Sequence, residues 1–152
     1  MYVIEKMEKI QIREFSFNSE EYSKELELRD KVLRKPLGMN LYDEPLEVDK
    51  TDVHIGAFKE NRIVGVLLLT SLNSTEIKMR QVAVDADFRS RKIGTRMVRF
   101  AENYSTAKGY ETMVLNARKT AVAFYEKLGY NKISEEFLEI NIPHYKMSKN
   151  IS

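Results

Sequence analysis

The stretch QVAVDADFRSRKIGTRMVRF, residues 81–100, decides how the chain is read. Gln81-Val82-Ala83-Val84 ends an apolar run of strand character, and Asp85 breaks it. Arg89, Arg91 and Lys92 follow in a short loop. Ile93, Met97, Phe100, Ala101, Tyr104 and Ala107 then recur at helical spacing, which predicts a helix over residues 93–108 that Gly109 stops. The first amides of a helix have no internal acceptor, and the helix dipole adds roughly half a positive charge beside them. Three cations next to those donors make an anion site, and Gly94 brings no Cβ to keep a ligand away. A diphosphate suits that geometry; a solvated basic helix start is the plainer alternative. The segment holds neither the G-x-x-x-x-G-K-[ST] nor the G-x-G-x-x-G string.

Outward from this segment, the pattern predicts alternating elements. Residues 8–17 alternate as an opening strand, and residues 19–34 form a helix capped at Asn18-Ser19, with Tyr22, Leu26, Arg29 and Leu33 on one side. Pro36 and Gly38 end that helix, and residues 38–50 read as a loop. Residues 52–59 and 62–72 form a hairpin turning at Glu60-Asn61, and residues 75–84 form the next strand. After the central helix come a strand over 111–117, a short helix over 119–128 stopped by Gly129, a strand over 130–139 and a short last strand over 144–148. The strand–helix–strand unit implies a parallel pair with a right-handed crossover, and the three strands before it imply an antiparallel meander. The fold class is therefore mixed α/β (α+β), in one domain spanning residues 1–152.

Composition agrees and excludes several alternatives. The chain has 152 residues, 43% hydrophobic and 32% charged, which fits a globular protein with a real core. Lys plus Arg number 25 against 23 acids, and a net charge of +2 is too small for a protein that coats nucleic acid. There is no cysteine, hence no disulfide, thiolate metal site or cysteine nucleophile, and the two histidines, His54 and His144, make a metal centre unexpected. The longest clean apolar run, residues 63–69, falls far short of the roughly 20 residues that cross a membrane. MYVIEKMEKI has no signal-peptide core, so a cytoplasmic setting without a membrane partner is expected.

A second segment, LNARKTAVAFYEKLGY over residues 115–130, leads a strand into the short helix that carries Tyr125. Alone, Tyr125 reads as a core aromatic. Together the two segments resemble the GNAT superfamily of acetyl-coenzyme A-dependent N-acetyltransferases. The family's Q/R-x-x-G-x-G/A phosphate loop is similar to Arg89-Ser90-Arg91-Lys92-Ile93-Gly94, with Lys92 where the first glycine is usual. Its A-x-x-F/L-Y-E-K-x-G-F/Y string matches Ala121 through Tyr130 in register. LRDKVLRKPLG (residues 28–38) and IPHYKM (residues 142–147) further resemble the small bacterial ElaA-type subgroup.

The resemblance implies a largely antiparallel sheet of six to seven strands, flanked by three to four helices, with a central parallel pair splayed for the cosubstrate acetyl-CoA. It implies direct attack by a primary amine, of a small molecule or of a peptide or protein, without an acyl-enzyme. Backbone groups of Val82, Ala83 and Val84 would pair with the pantetheine, one amide near Val82 would polarise the acetyl carbonyl, and Arg91, Lys92, Ile93, Gly94 and Thr95 would hold the pyrophosphate beside Arg89 and Ser90. Tyr125 matches the general acid that protonates the departing thiolate. A lysine-like amine, with pKa about 10.4, must also lose a proton before it attacks. Some relatives place a Glu at the position of Lys78, so His144 and Glu139 become the candidates for the base. For His144 a structural role is the equal alternative, and for Glu139 a surface role is the plainer one. Asn116 and Arg118 are expected near the cosubstrate, with strand-end capping and solvent as their plainer roles. Asp43, Glu44 and Glu47 suit a cationic acceptor or simple solvation. Two other classes compete: a non-catalytic acyl-CoA sensor of the same fold, and a small basic nucleic-acid binder using residues 80–99, against which Asp85 and Asp87 count. The resemblance leaves a homodimer open.

Overall fold

The structure, a computed structural model, describes residues 9–152 apart from the side chains of Ser90 and Arg91. Its elements are β1 (Ile10–Phe15), α1 (Glu20–Leu33), β2 (Val53–Lys59), β3 (Arg62–Ser71), β4 (Glu76–Val84), α2 (Ile93–Ala107), β5 (Thr112–Arg118), α3 (Val122–Lys127), β6 (Asn131–Lys132), β7 (Phe137–Glu139) and β8 (Ile142–Asn150). Among the described residues the sheet has eight strands in the order β1-β2-β3-β4-β5-β8-β6, with β7 paired to β8. β4 and β5 are the expected parallel pair, while β1–β2, β5–β8, β6–β8 and β7–β8 are antiparallel. Among the described residues no helix is long and apolar enough to cross a membrane.

The expected order of elements is present, with four corrections. The sheet exceeds six to seven strands because the span 130–139 breaks in two. There Ser134 Oγ takes the Lys146 amide at 2.9 Å and turns to the Glu135 carbonyl, which interrupts the ladder. The last strand is correspondingly longer than 144–148. The loop over 38–50 contains 3-10 turns at Leu41–Asp43 and Leu46–Thr51, anchored by Leu41 and Asp49, both buried. Ser19 holds the cap position of α1, but its hydroxyl donates to the Ser16 carbonyl and caps no helix amide. The first expected strand position, Glu8, lies outside the described residues.

The chain divides into two compact units. One takes the described residues up to Leu68 together with Gln81–Phe100; the other takes Leu69–Arg80 and Ala101–Ser152. In the first, Phe15, Leu28, Phe58, Ile63, Val66, Leu68 and Ala83 form a hydrophobic core. His54 through Phe58 of β2 are all buried, so this strand is covered on both faces. A Cβ at Gly65 would meet the end of the Met97 side chain at 2.9 Å, so Met97 would have to shift to admit it.

In the second unit, Met113, Leu115 and Ala117 of β5 and Met147 of β8 are buried. Gly109 and Gly129 end α2 and α3 with φ of +96° and +98°, conformations that favour glycine. The Tyr110 amide reaches the Ser105 carbonyl and the Tyr130 amide the Tyr125 carbonyl, which satisfies the last turns.

Candidate active site

In the first unit the end of β4 leads through a 3-10 turn at Ala86–Arg91 into α2. Val82 and Val84 are half-buried, and Ala83, pointing the other way, joins the core. Just upstream, Gln81 takes a φ of +56° within the strand, a left-handed conformation that costs about 1–3 kcal/mol in a non-glycine residue. Its Oε1 is buried without a hydrogen-bond partner. The sequence pattern, which reads 75–84 as an unbroken strand, did not reveal this irregularity.

Asp85 builds the turn. Its amide donates to the Val64 carbonyl at 2.8 Å, its carboxylate accepts the Asp87 amide at 3.1 Å, and Lys31 and Arg62 each donate to Oδ2 at 3.2 Å. Burial pushes this carboxyl up, but the Asp87 amide and the two cations outweigh it and hold it below the usual carboxylate range. Sequence reasoning missed this role, although an Asp directly after a strand and before a turn is a recognised capping signal.

Arg89 is exposed and donates from Nε to the Val84 carbonyl at 3.2 Å, while the backbone of Ser90 and Arg91 continues the turn. Lys92 then adopts φ +57° and ψ +25°, and its carbonyl accepts the first helical bond, from Arg96. Ile93 anchors the helix start at 0% exposure, and Gly94 and Thr95 stay partly open. The amides of Ile93, Gly94 and Thr95 are the ones that lack acceptors within the helix. This unit therefore brings together the expected strand-end, loop and helix-start residues, and their chemistry fits an anionic diphosphate.

The second unit holds Tyr125, Asn116, Arg118, Glu139 and His144. Tyr125 is 7% exposed and packs edge-on against Phe124 and Tyr130. Burial alone pushes its phenol well above the ordinary tyrosine value, so it keeps its proton at neutral pH. Register places Arg118 opposite His144, His144 opposite Phe137, and Asn116 opposite Lys146, so these side chains share one face. There Asn116 donates to Glu139 Oε1 at 3.0 Å, and Glu139 Oε2 lies 3.5 Å from His144 Nε2. His144 Nδ1 donates to the Ile142 carbonyl at 2.7 Å.

The opposite face carries Met113 and its register partner Lys149, which reaches Glu102 of α2. Tyr130 donates to the same Glu102 at 2.8 Å, and Tyr125 joins this side through Tyr130. The two base candidates thus meet each other, while the acid candidate belongs to the other face. The parallel β4–β5 register ends at Lys78↔Val114, although β4 continues to Val84 and β5 to Arg118.

Two further side chains of the first unit are engaged by partners. His54, with both ring nitrogens bonded, is structural. Glu44 is clasped by Arg34 through two hydrogen bonds, so it is not a free acid of the loop. Among the described residues no group of three or more His, Cys, Asp or Glu is arranged to hold a metal ion.

The sequence model described as an acetyltransferase (GNAT) domain matches residues 19–151. YyaT of Bacillus subtilis, an uncharacterized protein, is 32% identical over 111 residues, covering 73% of this chain and 74% of YyaT. The solved structure of Escherichia coli ElaA superimposes with a TM-score of 0.78 at 21% identity, over 95% of this chain and 100% of that one. An aminoglycoside 6'-N-acetyltransferase complexed with coenzyme A superimposes with a TM-score of 0.79 at 20% identity, over 93% of this chain and 97% of that one. A strand-end, basic turn and helix start of this design, on this sheet and within that match, make the chain a member of the GNAT acetyltransferase family.

Proposed function

We propose that this protein is an N-acetyltransferase that moves the acetyl group of acetyl-CoA to a primary amine by direct attack. The observation that carries the reading is the segment from Val82 to Thr95. A left-handed Lys92 delivers the chain into α2 directly before three amides without helical acceptors, with Arg89 beside them. Those amides and cations would take the pyrophosphate, and the backbone of Val82–Val84 the pantetheine. Lys92 in place of a glycine adds a cation where the phosphates would lie. By the resemblance Ser90 belongs to the matched loop, and Arg118, at the end of β5 where many relatives carry a cosubstrate-contacting Asn, would reach a phosphate.

The acetyl thioester supplies the electrophilic carbon. With no cysteine in the chain, transfer proceeds without a thiol acyl-enzyme. Tyr125 would act as the general acid. A free thiol has pKa about 8.5 and a phenol about 10. The buried Tyr125 is protonated when needed, and its value lies in position more than in driving force. The acceptor is an amine of a small molecule, peptide or protein.

The test is calorimetry with acetyl-CoA followed by thiol release over a panel of amines. Tyr125→Phe lowers transfer by about 10²-fold and leaves acetyl-CoA affinity unchanged. Unchanged turnover in that variant refutes the acid role. Binding without any amine-dependent thiol release would point to an acyl-CoA sensor.

A further inference from the structure

We propose that Glu139 and His144 form the station where the acceptor amine docks and loses its proton. The inference rests on the N-acetyltransferase reading and adds to it the amine-binding groups and the base.

The argument begins with hydrogen-bond roles. A carbonyl only accepts, so the 2.7 Å contact with Ile142 places a proton on His144 Nδ1. In the neutral ring Nε2 is then an acceptor. Nε2 faces Glu139 Oε2 at 3.5 Å, beyond ordinary hydrogen-bond length. In that neutral form two acceptors face each other, and the arrangement calls for a shared donor. An ammonium group, with N–H bonds to spare, answers both at once.

The surroundings suit the role. The imidazole is 3% exposed and stacks against Phe137 at 6.0 Å, so its ring is held in one orientation. The Glu139 side chain is 46% exposed, so a ligand reaches the pair from its side. Asn116 fixes the other carboxylate oxygen at 3.0 Å and acts as a positioning residue. The charged groups around His144 are Glu139 on β7, Arg118 opposite it on β5, and Lys146 two residues along β8. Once Nε2 has taken the proton, the Glu139 carboxylate stabilises the imidazolium.

The step balances. The ammonium gives one proton to His144 Nε2, and the neutral nitrogen adds to the acetyl carbon. The C–S bond breaks, the sulfur takes the Tyr125 proton, the second proton of the nitrogen leaves to solvent, and the phenol is restored from solvent. One proton remains on His144 and passes to solvent, matching the net release of one proton per amide formed.

Kinetics with acetyl-CoA and two nucleophiles test this: Nα-acetyl-lysine amide, protonated near neutral pH, and hydroxylamine, neutral there. His144→Asn keeps a donor for the Ile142 carbonyl and removes Nε2. It lowers kcat/KM for the lysine derivative by about 10²-fold near neutral pH, and the deficit shrinks as pH rises toward the amine pKa of about 10.4. With hydroxylamine, which has no proton to lose before it attacks, the deficit is far smaller. Glu139→Gln keeps an acceptor for Asn116 but raises KM for the charged amine more than for hydroxylamine, and Asn116→Ala does so more weakly. Equal deficits on both nucleophiles, or a deficit that ignores pH, overturn the assignment while leaving the transferase reading intact. A parent enzyme that takes up no acetyl-CoA overturns both.

Discussion

Replacing Glu25 with Gln tests a buried charge cluster that organises the first unit. Glu25 is 0% exposed and accepts from Arg29 Nη1 and from His54 Nδ1, each at 2.6 Å. Arg29 Nη1 also reaches Asp49 Oδ2 at 2.8 Å, and Tyr22 donates to the same oxygen at 2.8 Å. His54 Nε2 lies 2.9 Å from the Asp49 carbonyl. Oxygen acceptors face both ring nitrogens, so His54 carries two protons. Two carboxylates then balance a guanidinium and an imidazolium in the interior. Burial works against the charged His54, but the Glu25 carboxylate and the Asp49 carbonyl outweigh it and raise its pKa above the ordinary value.

Glu25→Gln leaves two buried cations against one anion, and removing one partner of a buried pair costs about 3–5 kcal/mol. At about 2–4 °C per kcal/mol for a chain of this size, the melting temperature falls by roughly 6–20 °C. The sign with pH follows from the raised His54 value. Its contribution is complete below the unfolded pKa of about 6.5 and is lost as pH rises through the folded one. Urea denaturation of parent and variant across neutral to alkaline pH should therefore show the largest gap at the acid end, closing upward. A gap under about 1 kcal/mol, or one that does not close, would mean that His54 is neutral and the cluster is not charge-balanced as described.

Two further outcomes follow from the turns that frame the site. Asp85→Asn keeps an acceptor for the Asp87 amide but loses the charge facing Lys31 and Arg62, so stability near neutral pH falls by about 1.5–3 kcal/mol and KM for acetyl-CoA rises. Because the Asp85 pKa is depressed, its contribution is present above about pH 3.9 and lost as pH falls through the folded value; urea titrations of the two proteins should converge in acid, and parallel curves would contradict it. Gly129→Ala places a Cβ 3.2 Å from Lys149 Cε at φ +98°, and thermal denaturation should register a loss of about 1–2 kcal/mol. An unshifted melting temperature would show that the turn relaxes freely.

Much of the fold is legible locally. Helical spacing from Ile93 to Ala107, the stops at Gly109 and Gly129, and the Glu60-Asn61 turn all depend on residues close in sequence, and each is present. Even Arg29 was legible as belonging to the inner side of its helix, at i+3 from Leu26. What inverts its meaning is distance along the chain, because Asp49 and His54 arrive from a turn and a strand that no local pattern ties to α1. Likewise, residues 130–139 have strand composition, but Ser134 competes for the Lys146 amide and splits them.

The phosphate-loop residues and Tyr125 could be named from short motifs because a strand-end, a turn and a helix start are contiguous. The meeting of Asn116, Glu139 and His144 could not, since it depends on the register of β5, β7 and β8, and a slip of one residue would turn each side chain to the opposite face. The sequence by itself determined the elements, their order and the basic helix start, through short-range periodicity and turn chemistry. Only the tertiary structure decided which charges share a face or a buried interior, because pairing register and burial are settled between segments far apart in the chain.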